Sequence, residues 1–384
     1  MKKNIKKTSI ESIRWFQWCA AGAAVLALAT LATRGSTAEI GGNDSESGSL
    51  RNPAHLQEQL REDVRTAIEK NAQASTLAEW QNSGFTAHDI FENARALRGW
   101  TELCHALSEL PARDAALFEE EVRESTTHGE LPCGPALTTK IEAHWQDSQE
   151  GFLREREEER SLLPAREAGE VAPLKIERRT LDPSKGETLS RGPLKAGEIT
   201  LTFDDGPHPT RTQKILAALD RAGIKANFFS VGQAAKANPQ LVREEVARGH
   251  VVGSHSHSHQ NLPVIPLSRG KAEIDTGIQE VAEAAGVGIP FFRFPFGARN
   301  ASLTAHVASK GFTSWLWNMD PQDWKFRDPN RVYQNAIGQL NAQKGGIILF
   351  HDVQEQTTIA LPAFLEELAR RKMTVVVFDP VKTP

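Results

Sequence analysis

The sequence has few cysteines and no excess of basic residues, and each shortage excludes a class of protein. Three cysteines in 384 residues are too few for a disulfide-rich scaffold. The 45 Lys and Arg residues do not outnumber the 49 Asp and Glu residues, so no net positive charge indicates a nucleic-acid partner. Long apolar runs are also scarce, which excludes a multispanning membrane protein. The hydrophobic fraction of 39%, together with 28 glycines, is instead typical of a globular protein rather than a disordered or collagenous chain.

The first 38 residues have the pattern of a secretory leader. Lysines at positions 2, 3, 6 and 7 precede an apolar run over residues 15–32, and small residues ending in Ala38 follow it. The run is rich in Ala and only moderately hydrophobic, which favours cleavage after Ala38. The alternative is an uncleaved membrane anchor, because about 18 residues is near the lower limit for a bilayer span. Either outcome predicts export to the periplasm, the cell envelope or the medium. Residues 15–32 are expected to contact a membrane only if the leader is not cleaved.

The cysteine count changes with the leader. Removal of residues 1–38 also removes Cys19 and leaves Cys104 and Cys133 in a chain bound for an oxidising compartment. These two residues can form a disulfide if the fold brings their Cα atoms close together, which their spacing in the sequence does not determine.

Two regions follow the leader, and the first has the pattern of helices. Apolar residues recur at helical spacing, as in Leu56, Leu60 and Val64. Residues 39–166 are therefore interpreted as a short Gly- and Ser-rich segment followed by an all-α region of about four or five helices. No motif in this region indicates chemistry. Residues 167–194 contain several prolines and many charges, which predicts a linker.

From residue 195 to residue 384, short β-rich segments alternate with helical ones. The predicted strands are 198–203, 226–231, 250–254, 291–294, 312–318, 346–350 and 374–378. Strands separated by helices predict parallel βαβ units in an α/β fold, closed or nearly closed into a barrel. In such barrels, catalytic residues gather at the carboxyl ends of the strands.

Charged residues and histidines fall at the ends of these predicted strands. The first strand is followed by Asp204 and Asp205, whose mutual repulsion a divalent cation relieves, although Asp-Asp-Gly-Pro alone is equally typical of a turn. The third strand ends in histidines at positions 255, 257 and 259, a density that favours metal ligation over packing. Their spacing leaves the ligands open, because all three share one side of a strand whereas only His255 and His259 align on a helical turn.

Three further strand ends carry polar groups. Arg293 ends the fourth strand and can orient a carboxylate, and the following turn can present a backbone N–H at Phe296. Asp320 and Asp323 follow the fifth strand, and His351 follows the sixth. Each cluster alone can be a surface turn. Polar clusters at five strand ends favour an active site.

The same clusters resemble the motifs of a known family. TFDDGP at 202–207, HSHSH at 255–259, RFPFG at 293–297, DPQDW at 320–324 and LFHD at 349–352 resemble, in order and spacing, the five motifs of the polysaccharide deacetylases. These are the NodB-homology proteins of carbohydrate esterase family 4. The resemblance covers about residues 195–384 and implies a distorted (β/α)7-type barrel that removes acetyl groups from a polysaccharide. It does not extend to residues 39–166.

The resemblance also implies a metal and a base. The implied ligands of a divalent metal are Asp205, His255 and His259. Zinc is the usual metal of the family, and Co²⁺, Ni²⁺ or Mn²⁺ are alternatives. Asp204 is the implied general base for the attacking water, and Arg293 is expected to orient it. Asp323 is in turn expected to hold Arg293.

The remaining implied roles concern the leaving group and the acetyl pocket. His351 is the implied general acid that protonates the departing sugar amine. The backbone N–H of Phe296 is expected to stabilise the oxyanion, with Phe standing where Tyr is common in the family. Trp324 and Leu349 are expected to form walls of the pocket for the acetyl methyl group.

The motifs leave the substrate open within one class, acetylated polysaccharides. Export favours an envelope or extracellular N-acetylglucosamine polymer as the substrate, and peptidoglycan is the first candidate among these polymers. An esterase that removes O-acetyl groups has the same motifs, and a non-catalytic glycan-binding protein is disfavoured because every catalytic position is filled. Two His and one carboxylate also form the iron site of some oxygenases. The alternation of strands and helices, and the adjacent Asp204, favour hydrolysis instead.

Overall fold

The computed structural model describes residues 100–125, 131–162 and 173–381, together with Ala87, Phe91, Glu92 and Arg95. The leader predicted over residues 1–38 lies outside the described residues. Within the described part, none of the helices combines the length and the apolar composition needed to cross a bilayer.

The described residues before residue 163 are helical and are called the helical region below. Its helices are α1 (Trp100–Glu109), α2 (Ala112–Ser125) and α3 (Pro135–Leu162). Their apolar faces enclose a core that includes Phe91, Leu103, Phe118, Ile141 and Trp145. Cys104 and Cys133 form a disulfide, with their Cα atoms 5.3 Å apart, that joins α1 to the segment before α3. These three helices agree in type with the predicted all-α region, whereas the predicted helix around Leu56, Leu60 and Val64 lies outside the described residues.

Residues 173–381 contain nine strands and seven α-helices. The strands are β1 (Lys175–Leu181), β2 (Thr188–Leu189), β3 (Glu198–Asp204), β4 (Asn227–Ser230), β5 (Val251–Ser254), β6 (Phe291–Arg293), β7 (Thr313–Trp315), β8 (Gly346–His351) and β9 (Thr374–Pro380). The helices are α4 (Arg211–Arg221), α5 (Gly232–Ala237), α6 (Pro239–Ala247), α7 (Leu267–Ala285), α8 (Ala301–Ser309), α9 (Pro329–Gln343) and α10 (Glu355–Arg370). The seven predicted strands correspond to β3 through β9.

The strands pair in parallel and close into a ring. β3 pairs with β4, and the pairing continues through β5 and β6 to β7. A parallel bridge between Met319 and Ile348 joins the segment after β7 to β8, and β8 pairs back with β3. β9 pairs with β1 and with the start of β3. The predicted α/β barrel is confirmed.

Alternation along the strands decides which side chains face the barrel interior. On β3, Ile199, Leu201 and Phe203 pack into an apolar cluster with residues of α4 and α10. Thr202 and Asp204 therefore face the interior. Below the carboxyl ends of the strands the interior is filled by a second apolar cluster, which includes Phe229, Phe291, Trp315 and Phe378. The charged side chains that follow the strands consequently lie at the mouth, where the strands end.

The prediction of a linker over residues 167–194 is wrong from Lys175 onward, and residues 167–172 lie outside the described residues. β1 pairs with β9, and β2 pairs with β7. β1 has no apolar run because it lies at one end of the sheet, where charged side chains remain accessible. Its Arg179 donates to Glu198 of β3 at 2.6 and 2.9 Å. The barrel therefore includes residues before position 195.

Candidate active site

The three expected metal ligands meet at the mouth of the barrel. Asp205 follows β3, and His255 and His259 lie in the loop after β5. Oδ1 of Asp205 is 3.5 Å from Nε2 of His255 and 3.2 Å from Nε2 of His259. His257 is turned away, because its Nδ1 lies 2.6 Å from a carboxylate oxygen of Glu280 on α7. The spacing of the three histidines did not decide which two could bind a metal. The structure places His255 and His259 beside Asp205 and His257 beside Glu280.

The chemistry of this cluster suits a cation. Oδ1 of Asp205 is buried without a hydrogen-bond partner among the described residues, an unfavourable arrangement that a bound cation removes. Burial lowers the pKa of His259 and lowers that of His255 well below its usual range, so both rings present lone pairs. Nδ1 of His255 donates to the carbonyl of Arg293 at 2.8 Å, which leaves Nε2 for a metal. One carboxylate and two neutral imidazoles form a donor set that transition ions accept.

The loop that carries both histidines is held by α7. Glu273 accepts from the backbone N–H of Ser258 at 2.9 Å and from its hydroxyl at 2.8 Å. Gly277, one turn further along α7, lies so close to the loop that a Cβ there would collide with the main chain of Ser256 and lie 2.6 Å from the backbone nitrogen of His257. The sequence motifs did not identify these α7 residues, because the helix pattern does not reveal which neighbour a helix face meets.

Asp204 is held by Arg293. Both side chains are buried, at the ends of β3 and β6. Nη1 of Arg293 donates to Oδ1 of Asp204 at 2.7 Å and to the hydroxyl of Thr202 at 2.9 Å. The guanidinium also lies over the ring of Phe229, 4.3 Å from its centroid. Oδ2 of Asp204 is 3.6 Å from Nε2 of His255 and so faces the metal cluster.

Asp323 pairs with His351 rather than with Arg293, which corrects the expectation from the sequence. Its Oδ1 accepts from Nδ1 of His351 at 2.7 Å. Its Oδ2 accepts from the backbone N–H of His351 at 2.7 Å and from the hydroxyl of Thr357. The reason is topological, because the Met319–Ile348 bridge brings the segment after β7 beside β8, where His351 lies.

The buried charges set different protonation states for Asp204 and His351. Burial raises the pKa of Asp204 to about 6, although the charge of Arg293 opposes this. Burial alone would lower the pKa of His351, but the charge and hydrogen bond of Asp323 outweigh it and raise that pKa to about 10. Near neutral pH a carboxylate and a protonated imidazole therefore stand on adjacent strands, since Asp204 and His351 are partners in the β3–β8 register.

The other expected site residues lie near the same mouth. The ring of Phe296 is 4.6 Å from that of His259, and its side chain is 62% exposed. Its φ of 59° is unfavourable for a residue other than glycine, so the surrounding structure fixes this backbone. Trp324 is 42% exposed, and its Nε1 donates to Asp320 at 3.4 Å. Leu349 is buried and, by alternation on β8, shares the interior face with the last residue of that strand.

A third buried carboxyl group, besides Asp204 and Asp323, adjoins the site, and no role was expected for it. Asp352 accepts from the hydroxyl of Thr212 and lies against Gly206, where a Cβ would collide with its carboxylate. Burial raises the pKa of Asp352 to about 7. Its position in the LFHD motif was the available signal. Thr202, which binds Arg293, could have been found from its place two residues before Asp204 on the same strand face.

Comparison with known proteins identifies relatives with named activities. A sequence profile described as polysaccharide deacetylase matches residues 191–315. The peptidoglycan-N-acetylglucosamine deacetylase of Listeria monocytogenes is 33% identical over 181 residues, which cover 47% of this chain and 38% of that protein. The chitooligosaccharide deacetylase of Sinorhizobium fredii is 31% identical over 170 residues, which cover 43% of this chain and 76% of that protein. The chain therefore matches well under half of the Listeria protein's length.

A solved structure is similar over more of the chain. The peptidoglycan deacetylase of Bdellovibrio bacteriovorus has 31% sequence identity and a TM-score of 0.58, over 84% of this chain and 96% of that chain. Because residues 173–381 are little more than half of the sequence, this similarity includes residues that precede the barrel. The motifs, the barrel and these relatives together show that the chain belongs to the polysaccharide deacetylase family, the NodB-homology proteins of carbohydrate esterase family 4.

Proposed function

We propose that this protein is a metal-dependent hydrolase that removes N-acetyl groups from N-acetylglucosamine residues of an envelope or extracellular polysaccharide. Peptidoglycan is the polysaccharide favoured as its substrate. The proposal is carried by one observation. The mouth of the barrel holds a convergent cluster of metal-ligand side chains beside a carboxylate at Asp204 and a protonated imidazole at His351. A Lewis acid, a general base and a general acid are the components that amide hydrolysis by water needs.

The relatives support the substrate class. The Bdellovibrio and Listeria proteins are named peptidoglycan deacetylases, and the Sinorhizobium protein is named a chitooligosaccharide deacetylase. N-acetylglucosamine is common to both kinds of glycan. Peptidoglycan is preferred because the Bdellovibrio structure is similar over 84% of this chain, whereas the Sinorhizobium match is limited to 43%.

Asp204 is the proposed general base. Arg293 binds its Oδ1 at 2.7 Å, which prevents the carboxylate from rotating and leaves Oδ2 to face the site. A pKa of about 6 keeps the group ionised at neutral pH but basic enough to take a proton from the attacking water.

His351 is the proposed general acid. Asp323 accepts from its Nδ1, so Nε2 is the nitrogen that can give a proton to the departing amine. When bound by Asp205, His255 and His259, a divalent cation supplies positive charge for the acetyl oxygen as that oxygen becomes negative. The backbone N–H of Phe296 is the proposed second donor to the same oxygen. Trp324 and Leu349 are proposed to enclose the acetyl methyl group.

Zinc is the proposed cation, because two imidazoles and a carboxylate with open positions suit catalytic zinc; Co²⁺, Ni²⁺ and Mn²⁺ suit the same donors. The proposed location is outside the cytoplasm. The disulfide between Cys104 and Cys133 supports it, because such bonds persist in oxidising compartments. The leader predicted over residues 1–38 supports it independently.

Acetate release tests the proposed function. The Zn²⁺-loaded protein is incubated with soluble N-acetylglucosamine oligomers and with peptidoglycan, and free acetate and the masses of the products are measured. We expect one acetate for each new amine, loss of activity with a chelator and recovery with Zn²⁺. Release from O-acetylated polysaccharide alone, or oxygen-dependent turnover without acetate, would contradict N-deacetylation.

Two variants distinguish a base from a metal ligand. Asp204→Asn is expected to retain most of the metal affinity and to lose at least about 100-fold in kcat, because it removes the proposed base. His255→Ala is expected to lose both metal affinity and activity. Metal affinity is measured by competition with a chromogenic chelator. Acetate release by Asp204→Asn at the wild-type rate would contradict the assignment of Asp204 as the general base.

A further inference from the structure

The loop between β7 and α9 carries two residues of the proposed site. Residues 320–328 include Asp323, which orients the proposed general acid, and Trp324, which lies exposed at the mouth. The barrel itself holds the beginning of this loop, because the backbone N–H of Asp320 donates to Gln339 of α9 at 2.6 Å. After Trp324 the loop is held on the barrel side by the buried ring of Phe326, and its main chain is also bound from outside the barrel.

The helical region binds that second part. Oε1 of Glu120, on α2, accepts from the backbone N–H of Arg327 at 2.7 Å. The guanidinium of Arg327 donates to Glu142 of α3 at 2.8 and 2.9 Å and to Glu119 at 3.3 Å. Oε2 of Glu120 accepts from Arg331 at 3.0 Å. Two helices therefore hold the loop just after the site residues.

Glu120 makes the contact that restrains the main chain. Its side chain is only 4% exposed, so its loss would leave a shielded N–H and a guanidinium without their acceptor. Glu142 is 57% exposed, and solvent weakens its ion pair with Arg327. Arg327 follows Trp324 by three residues, so a fixed N–H at Arg327 limits the positions that the loop can adopt.

We propose that the helical region helps to position the loop between β7 and α9, with Glu120 fixing its main chain at Arg327 so that Asp323 meets His351. The catalytic consequence rests on the proposed function, in which His351 is the general acid. Glu120 contacts the loop and no reacting group, and is therefore a positioning residue. This gives a role to a region in which the sequence motifs indicated no chemistry.

The same interface offers a control that is remote from the loop. Arg160 of α3 pairs with Glu366 of α10 at 3.5 Å, and both side chains are about half exposed. Phe152 of α3 packs on Tyr333 of α9, with ring centroids 5.9 Å apart. These contacts keep the helical region on the barrel when Glu120 is changed. Glu366→Ala is accordingly the matched control.

Hydrogen exchange tests the positioning without reference to activity. Glu120→Ala, Glu120→Gln, Glu366→Ala and the wild type are compared by mass spectrometry of the peptide that spans residues 321–328. We expect exchange at least about tenfold faster in Glu120→Ala, because a partly buried hydrogen bond to the main chain is lost. Glu120→Gln should be intermediate, since its amide oxygen can still accept from Arg327, and Glu366→Ala should match the wild type.

Kinetics then test the consequence for catalysis. In Glu120→Ala we expect kcat on a soluble oligomer to fall about tenfold, and the alkaline limb of its pH profile to move to lower pH, because a displaced Asp323 no longer supports the protonated form of His351. Unchanged exchange in the 321–328 peptide overturns the positioning role, as does faster exchange with wild-type kcat and pH profile. If the wild type releases no acetate, the proposed function fails, and the exchange data still decide whether Glu120 positions the loop.

Discussion

A buried carboxylate can act as a base only if its partners leave one oxygen free. Asp204 meets this condition, because Arg293 donates to Oδ1 while Oδ2 faces the metal cluster. Asp323 does not, because His351 and Thr357 occupy both of its oxygens. Two aspartates of the same motif set thus differ in chemistry through their partners alone, one suited to proton transfer and the other to holding an imidazolium.

Asp323→Asn is expected to move the alkaline limb of the pH profile for acetate release to lower pH, by about 1–3 units. The pKa of His351 is raised to about 10 by the charge and hydrogen bond of Asp323, which outweigh burial. The acid form is active below that pKa and is lost as the pH rises through it, so a lower pKa ends activity at a lower pH. The measurement is kcat/KM against pH on a soluble oligomer.

The acid limb serves as the internal control for Asp323→Asn. It reflects ionisation of Asp204, whose carboxylate is held by Arg293 and has no hydrogen bond to Asp323. It should therefore keep its wild-type position. An alkaline limb that also stays in place would contradict the assignment of Asp323 as the partner of the general acid.

Thr202→Val is expected to destabilise the fold by about 1–3 kcal/mol, because it leaves buried polar groups without a partner. The hydroxyl of Thr202 accepts from Arg293 at 2.9 Å and donates to the carbonyl of Ile348 at 2.7 Å. Denaturant unfolding measures the change. Thr200→Val is the matched control on the same strand face. The hydroxyl of Thr200 donates to the carbonyl of Val376 and has no bond to Arg293, so Thr200→Val should lower the free energy of unfolding less than Thr202→Val does. Equal losses would show that the bond to Arg293 contributes nothing.

At the scale of elements, strands were predictable where they are buried on both faces. β3, β8 and β9 are apolar runs followed by charged residues, which is the pattern of parallel strands in a barrel. β1 was missed because its charged side chains are tolerated at the end of the sheet. The residues proposed for catalysis were placed at strand ends from the sequence. The partner of Asp323 was not predictable, because it depends on which strand lies beside the segment after β7.

The packing of α7 against the histidine loop leads to a prediction for metal binding. Gly277→Ala is expected to lower the affinity for Zn²⁺ by at least about tenfold, because a Cβ there collides with the backbone of Ser256 and displaces the loop that carries both histidines. Chelator competition on the folded protein measures the affinity, and its readout does not depend on turnover.

Gly338→Ala is the matched control for Gly277→Ala. Gly338 lies in α9, where a Cβ would have no atom within 4 Å, so the substitution should leave metal affinity unchanged and slightly stabilise the helix. Wild-type affinity in Gly277→Ala would show that the loop adapts to α7, and that α7 does not fix the ligands.

At the scale of the whole molecule, the helical region and the barrel share apolar surface. Phe152 of α3 belongs to the same buried cluster as residues of α9 and α10, and Arg156 lies over the ring of Tyr333 at 5.1 Å. Burial of this kind makes the stability of one part depend on the other, whereas the exposed ion pairs at the same interface contribute little. We therefore expect both parts to unfold in one transition.

The disulfide provides the test of this coupling. Replacing both Cys104 and Cys133 with Ser removes a cross-link between residues 29 apart in sequence. This should destabilise the protein by about 3–4 kcal/mol through the greater entropy of the unfolded chain. Because the parts are coupled, the single transition seen by circular dichroism and the loss of acetate release should shift together, and reduced wild type should match the variant. If activity instead persists to the wild-type midpoint while helical signal is lost earlier, the barrel is stable without the helical region and the shared core does not couple them.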